Sequence, residues 1–163
     1  MKIIIAPYAA KLDNNQRNPK NYAHWPELVA LLNAAGHEIT QIGCEDEERI
    51  EGVAHFLVDW PLDRLCWLIN QADLWISIDS FLSHLCATER LKSGVVLWGV
   101  SDDRIFGYPR NLNLTKDSRA HLRPYQFDYW KNTAYDPGVF VSPEDVMKAI
   151  DEWLLLTTAR SRS

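Results

Sequence analysis

The stretch DLWISIDSFLSHLCA, residues 73–87, decides the fold of this chain. Its first part, 73–78, is a short apolar run with β-branched residues, which is typical of a strand buried on both faces of a sheet. The run stops at Asp79 and Ser80, and a segment with helical spacing follows, which predicts a helix over 83–91. A buried strand that leads directly into a helix indicates a parallel α/β sheet, and its polar junction lies where such sheets bind ligands.

The same alternation continues on both sides of this stretch. Strands are predicted at 2–6, 37–43, 55–60, 73–78 and 94–100, with a further short one at 111–114, and helices at 22–36, 61–72, 83–91 and 141–156. We therefore predict a three-layer, Rossmann-like α/β domain whose mostly parallel sheet has five or six strands. The domain is expected to span 1–157, with a polar tail at 158–163.

Composition excludes several classes of protein. The 163 residues are 47% hydrophobic, which is enough for one core, and the net charge of −5 with scattered basic residues argues against a nucleic-acid partner. The three cysteines have no paired spacing, so neither a disulfide framework nor a zinc site is predicted, and no other metal or cofactor motif occurs. No apolar window reaches the length of a membrane span, and a cytoplasmic location is expected.

Three segments are expected to meet at the carboxyl edge of the sheet, namely the loop 7–21, the junction 79–84 and the loop 99–107. They combine cations with the free amides of a helix start, which together favour a phosphate. Ser80 would donate to it, Asp79 would orient the loop or a ribose hydroxyl, and His84 lies one turn further on the same helix face. The predicted ligand-binding residues are Lys20, Arg17, Lys11, Asp79, Ser80, His84 and Asp102.

Each of these residues also has a purely structural interpretation. Asp79 or Ser80 would serve only as a helix cap, Asp102 only as a turn cap, and His84 only as a packed side chain. The basic loop would be a solvated loop whose asparagines form turns, and the acidic run 45–51 a solvated face. The aromatic segment Tyr125, Phe127, Tyr129 and Trp130 would pack beneath the loop or form a surface for a partner.

The chain resembles the C-terminal, nucleotide-sugar-binding domain of glycosyltransferase family 9, the heptosyltransferase-like enzymes of GT-B architecture. The resemblance rests on PLDRLCWLINQADLWISIDSFLSHLCA, where Asp79, Ser80, His84 and Ala87 are in register with the family's Asp-Ser-Gly-x-x-His-x-Ala motif. The stretch NPKNYAHWPELVALLNAAGHEITQIG, which includes Lys20, and the closing VFVSPEDVMKAIDEWL are also similar to it. This resemblance implies binding of a nucleoside-diphosphate sugar or a related nucleotide.

The chain departs from the family pattern in two ways. Phe81 replaces the family's glycine, with Leu82 after it, and the resemblance covers only the second half of the family's architecture. If the chain is a glycosyltransferase, the acceptor half and its catalytic base are expected from a second subunit or another chain, and Lys20, Ser80 and His84 would stabilise the leaving diphosphate. The alternatives are a non-catalytic sensor or sequestering protein for a nucleotide-derived metabolite, and an interaction protein with a relic pocket.

Overall fold

The computed structural model of the chain describes residues 1–12, 16–116 and 133–160. The strands within these ranges are β1 (Lys2–Ala6), β2 (Glu38–Gly43), β3 (His55–Val58), β4 (Leu74–Ile78), β5 (Val95–Leu97) and β6 (Leu112–Leu114). They form one six-stranded sheet in the order β3-β2-β1-β4-β5-β6, in which every neighbouring pair is parallel. The predicted Rossmann-like α/β fold is therefore confirmed.

Five helices accompany the sheet in the described ranges: α1 (Trp25–Ala34), α2 (Leu62–Gln71), α3 (Phe81–Thr88), α4 (Asp103–Phe106) and α5 (Pro143–Arg160). Four of them differ from expectation by two residues or more. Helix α1 spans Trp25–Ala34 where 22–36 was predicted. Helix α3 begins two residues earlier than predicted, directly after the extended backbone of Ser80. Helix α4 lies where a loop was expected, because the carboxylate of Asp102 accepts a hydrogen bond from the Arg104 amide and so begins a helical turn. Helix α5 continues four residues beyond the predicted end.

The core has two layers, because successive side chains of a buried strand point to opposite faces of the sheet. Ile3 and Ile5 of β1 pack on one face with residues of α1 and α5, whereas Ile4 and Ala6 pack on the other face with residues of α2 and α3. Burial on both faces explains why β1 is a continuous apolar run rather than an alternating one. The two layers fix which helices flank each side of the carboxyl edge.

Strand order reverses between β1 and β4, which are neighbours in the sheet although β2 and β3 lie between them in sequence. The loops that follow β1 and β4 must therefore leave the sheet in opposite directions, and a crevice opens between them. This switch point places the loop 7–21 next to the Asp79–Ser80 junction, as the sequence pattern predicts.

Two further expectations concern the aromatic segment and membrane-spanning helices. The aromatic residues Tyr125, Phe127, Tyr129 and Trp130 lie outside the described residues. In the parts of the chain that the structure describes, none of the helices combines the length and apolarity needed to cross a membrane.

Gly94 gives a test of the packing beneath β5. A Cβ built on Gly94 would lie 2.1 Å from a ring carbon of Trp75 and 2.6 Å from the Trp75 carbonyl oxygen. Trp75 has no room to move, because its ring is fully buried and its Nε1 donates to the Lys92 carbonyl at 2.9 Å. We expect Gly94→Ala to lower the free energy of unfolding by about 3 kcal/mol, as overpacked core substitutions do. Urea denaturation followed by tryptophan fluorescence measures the change.

The matched control is Gly36→Ala. Gly36 has a φ of 78° and nothing within 4 Å of a built Cβ, so an alanine there meets backbone strain without a clash. Its cost should be about 1 kcal/mol. A Gly94 variant no less stable than the Gly36 variant would contradict this account of the packing.

Candidate functional site

A cleft of about 1220 Å³ opens at the carboxyl edge of the sheet, beside the switch point. Its walls come from the segments that follow β1, β2, β3 and β4, so residues distant in sequence share one concave surface. Of the predicted site residues, the structure brings five to this cleft: Lys11, Arg17, Lys20, Asp79 and Ser80. Ligand sites in open parallel sheets occur at this position.

The floor of the cleft contains a buried ion pair. The Lys20 Nζ lies 2.8 Å from Asp79 Oδ2, and the side chains of Lys20 and Asp79 are 13% and 3% exposed. The pair joins the loop after β1 to the end of β4, directly across the switch point. Two charges removed from water in this way are tolerated only when each compensates the other.

Two buried asparagines hold the loop that carries Lys20. The Nδ2 of Asn18 donates to the Ala10 carbonyl at 2.9 Å, and its Oδ1 accepts from the Lys20 amide at 3.0 Å. The Oδ1 of Asn21 accepts from the Ala9 amide at 2.8 Å. These asparagines therefore stabilise turns of the loop, as expected, and the turns place Lys20 at the cleft.

The β5 end of the sheet also contacts this loop. A Cβ built on Gly99 would lie 3.2 Å from the Pro19 carbonyl and 2.5 Å from the ring of Phe140. Only a residue without a side chain allows this close approach. The loop preceding Lys20 is thus packed from two sides.

Ser80 stands at the N-terminus of α3 without acting as its side-chain cap. It occupies the N-cap position, yet its hydroxyl makes no hydrogen bond to the helix amides. The Oγ is buried and has no hydrogen-bond partner among the described residues. A buried hydroxyl without a partner is costly, so a small movement that turns this atom toward the cleft would let it bond to a ligand at small additional desolvation cost.

The first turn of α3 also contains no acidic residue, whereas α1, α2 and α5 each have one there. The positive end of its dipole is therefore not compensated by its own side chains. Together with Ser80 Oγ and Lys20, this helix start can receive an anion.

The other two cations lie at the mouth of the cleft. Lys11 binds Asp46 through the carbonyl at 2.7 Å and through Oδ2 at 3.1 Å, in an exposed pair. Arg17 donates from Nη2 to the Tyr22 carbonyl at 3.1 Å, and its guanidinium lies 4.3 Å from the ring centroid of Tyr135. Both side chains are exposed, so a ligand that enters the cleft can reach them.

Neither His84 nor Asp102 is brought to the cleft. His84 is exposed on α3, where its Nδ1 lies 2.9 Å from the Tyr108 hydroxyl. It shares a helix face with Ser80, but one turn of helix carries it away from the sheet edge. Asp102 is buried and binds Arg104 through the amide at 3.0 Å and through the guanidinium, so its carboxylate serves to begin α4.

One wall of the cleft is acidic, and the sequence analysis missed it by treating the run 45–51 as a solvated face. The wall contains Asp46, Glu47, Glu48 and Asp59. Buried Gln41 in β2 positions it, because Gln41 Nε2 donates to the Glu48 carbonyl and its Oε1 accepts from the Ile50 amide, both at 2.8 Å. The signal in the sequence was Gln41, a polar residue two positions from buried Ile39 and therefore on the same face of the strand. Within the described residues, no three acidic, histidine or cysteine side chains are arranged to hold a metal ion.

Glu47 is the most perturbed carboxyl group of this wall. Burial raises the pKa of Glu47 to about 7, the charges of Asp46 and Asp59 add to the rise, and a hydrogen bond from the Cys44 backbone together with Lys11 opposes it. The mechanism is desolvation of the charged form, strengthened by like charges. The acidic wall therefore changes its charge near neutral pH.

The remaining side of the cleft is apolar. Trp60, Leu62 and Phe81 line it, and we call these three residues the apolar wall. Phe81 is 44% exposed and Leu62 is 60% exposed, so neither side chain belongs to the buried core. The Phe81 ring leaves Lys20 and Ser80 on the same open surface.

The sequence matches no protein-family model and no curated protein. Solved structures do share its fold. The E. coli ADP-heptose lipopolysaccharide heptosyltransferase II superposes with a TM-score of 0.66 at 17% identity, over 96% of this chain and 47% of that one. A glycosyl transferase family 9 protein from Veillonella parvula gives 0.63 at 20% identity, over 94% and 46%.

A third similar structure is that of the dodecameric iron-containing heptosyltransferase TibC in complex with ADP-D-β-D-heptose. It gives a TM-score of 0.56 at 17% identity, over 87% of this chain and 35% of that chain. The chain thus spans less than half the length of each of these enzymes. At these identities the likeness concerns the fold, and it confirms the predicted resemblance to one half of a GT-B glycosyltransferase of the heptosyltransferase type.

Proposed function

We propose that the cleft binds a nucleoside diphosphate or a nucleotide sugar, with its phosphate at the start of α3. The observation that carries this proposal is the convergence of Lys20 and the buried, unpartnered hydroxyl of Ser80 on the floor of one cleft. A phosphate there would accept from Ser80, from the first amides of α3 and from Lys20.

The charges of the cleft limit how this binding works. Lys11 and Lys20 both contact carboxylates, and the lining contains five acidic side chains against three basic ones. A phosphate must therefore share Lys20 with Asp79 rather than meet an isolated cation. The Ser80 hydroxyl has no such competitor, so we assign it, together with the first amides of α3, the larger part of anion recognition.

The fold neighbours support a sugar-nucleotide ligand in particular, since the structure of TibC contains ADP-D-β-D-heptose. If transfer takes place, Lys20 and Ser80 would stabilise the charge that grows on the leaving diphosphate. The acceptor and its base would then be supplied by a second subunit or another chain.

A ligand panel tests the proposal directly. Ligands that bind the folded state raise the midpoint of thermal unfolding, so nucleoside mono- and diphosphates and their sugar conjugates can be compared on one scale. We expect a concentration-dependent shift with at least one diphosphate and none with the matching nucleoside. Equal shifts with nucleoside and nucleotide, or no shift with any phosphate, would contradict a phosphate site.

Ser80→Ala is the sharpest variant for the anion site. In the free protein this hydroxyl is buried and makes no hydrogen bond, so its removal should leave the stability unchanged or raise it by up to about 1 kcal/mol while weakening diphosphate binding about tenfold. Isothermal titration gives the affinity and urea denaturation the stability. Retention of full affinity would remove Ser80 from the site.

Lys20 requires a paired design, because Lys20→Ala alone leaves the Asp79 carboxylate buried without its cation, at a cost of about 3–5 kcal/mol. The double variant Lys20→Met/Asp79→Asn removes both charges and should fold. We expect it to bind the diphosphate at least tenfold more weakly than the wild type. Lys148→Ala, an exposed lysine of α5, is the control and should bind normally.

Binding should also depend on the charge of Glu47. The raised pKa, about 7, keeps this carboxyl largely protonated at pH 6 and ionised at pH 8, so repulsion of an anionic ligand appears as the pH rises through 7. Glu47→Gln stays neutral throughout. We expect it to match the wild type at pH 6 and to bind the diphosphate about threefold to tenfold more tightly at pH 8.

Titration of the ligand itself cancels in this comparison, because both proteins meet the same ligand at each pH. Glu51→Gln, an exposed carboxyl of the same loop outside the cleft, is the control. A variant-to-wild-type affinity ratio that does not change with pH would show that Glu47 does not face the bound anion.

A further inference from the structure

Two residues of the apolar wall, Leu62 and Phe81, have no explanation in the fold, whereas Trp60 packs against the core. Trp60 is half-buried, whereas Leu62 and Phe81 are 60% and 44% exposed at the starts of α2 and α3. Leu62 and Phe81 each occupy the first position of their helix, where neither propensity nor capping calls for a large apolar residue. Large apolar side chains exposed inside a cleft are typical of ligand-binding surfaces.

The position of the apolar wall relative to the anion site follows from the order of residues in the sequence. Phe81 directly follows Ser80, so a phosphate held by the Ser80 hydroxyl brings its substituent beside the Phe81 ring. The basic loop lies on the other side of the floor, because residues of that loop pack with α1 on the opposite face of the sheet from α2 and α3. A bound phosphate therefore has charged groups on one side and an apolar surface on the other.

We propose that Phe81, with Leu62 beside it, determines specificity by selecting phosphate esters whose substituent on the α3 side presents an aromatic or aliphatic surface. This inference rests on the proposed phosphate site and adds the chemical class of the group attached to it. In a nucleotide sugar the aromatic base presents such a surface, so the nucleoside would face Phe81, whereas the sugar, which offers mainly hydroxyl groups, is discriminated against on this side.

Two physical effects produce the discrimination. An aromatic substituent gains contact area and ring–ring interaction with Phe81. A sugar placed beside Leu62 and Phe81 would turn hydroxyl groups toward two side chains that can neither donate nor accept, and each hydroxyl would lose its hydrogen bonds to water. Because both effects act in the same direction, the preference should exceed what either gives alone.

The test compares three probes that share the phosphate and differ in its substituent: inorganic phosphate, phenyl phosphate and glucose 1-phosphate. Affinities are measured by NMR titration of the backbone amides of residues 80–83 in the wild-type protein. We expect phenyl phosphate to bind at least fivefold more tightly than glucose 1-phosphate. Phe81→Ala should reduce this ratio to about one and leave the affinity for inorganic phosphate within twofold, whereas Phe81→Tyr should keep the preference.

Further variants separate the wall from general surface effects. Leu62→Ser should lower the affinity for phenyl phosphate without changing that for inorganic phosphate. Leu155→Ser, at a 73% exposed leucine of α5 outside the cleft, should change neither. All of these side chains are exposed, so thermal unfolding should show that each variant folds.

The outcomes distinguish this inference from the function on which it rests. Phosphate binding that depends on Ser80 but shows no preference for phenyl phosphate, or a preference that survives Phe81→Ala, would overturn the role of Phe81 alone. Failure of all three probes to bind at millimolar concentration would overturn the phosphate site as well.

Discussion

The ion pair between Lys20 and Asp79 is the contact on which the site depends. It joins the two segments that diverge at the switch point of the sheet, and its side chains are 13% and 3% exposed. Such a pair adds little net stability, because desolvation offsets most of the attraction, but it penalises any arrangement that separates the charges. It therefore selects the loop conformation that presents Lys20 to the cleft.

This constraint also explains why the loop needs its polar residues. A buried lysine cannot be held by charge alone, since a flexible loop would lose too much conformational entropy on ordering. Asn18 and Asn21 satisfy backbone groups of the loop, and the absence of a side chain at Gly99 lets Pro19 approach β5. Ser80 directly follows Asp79 of this pair, and its hydroxyl is buried without a hydrogen-bond partner.

The sequence predicts the fold well because its signals are local. Burial on both faces makes β1 and β4 continuous apolar runs, and Pro26 and Gly36 mark the ends of α1. The meeting of Lys20 with Asp79 is also predictable, since strand order alone brings their segments together. The predictions for His84 and Asp102 show where local signals are insufficient. The position of His84 along α3 turns its side chain toward Tyr108, and Asp102 caps α4. Both outcomes depend on the residue at which a helix begins.

The acidic and apolar walls were not predicted, because both depend on which way a loop or a helix start faces. Glu47 looks like any exposed acid in the sequence, yet Gln41 of the neighbouring strand draws its loop against the sheet edge and buries it. Phe81 looks like the first core residue of a helix, yet its side chain points into the cleft. The fold thus places the cleft at the position common to such sheets, and these two orientations give it an acidic wall and an apolar wall. In the proposed site a phosphate would lie between the two, so both walls would influence which ligands bind.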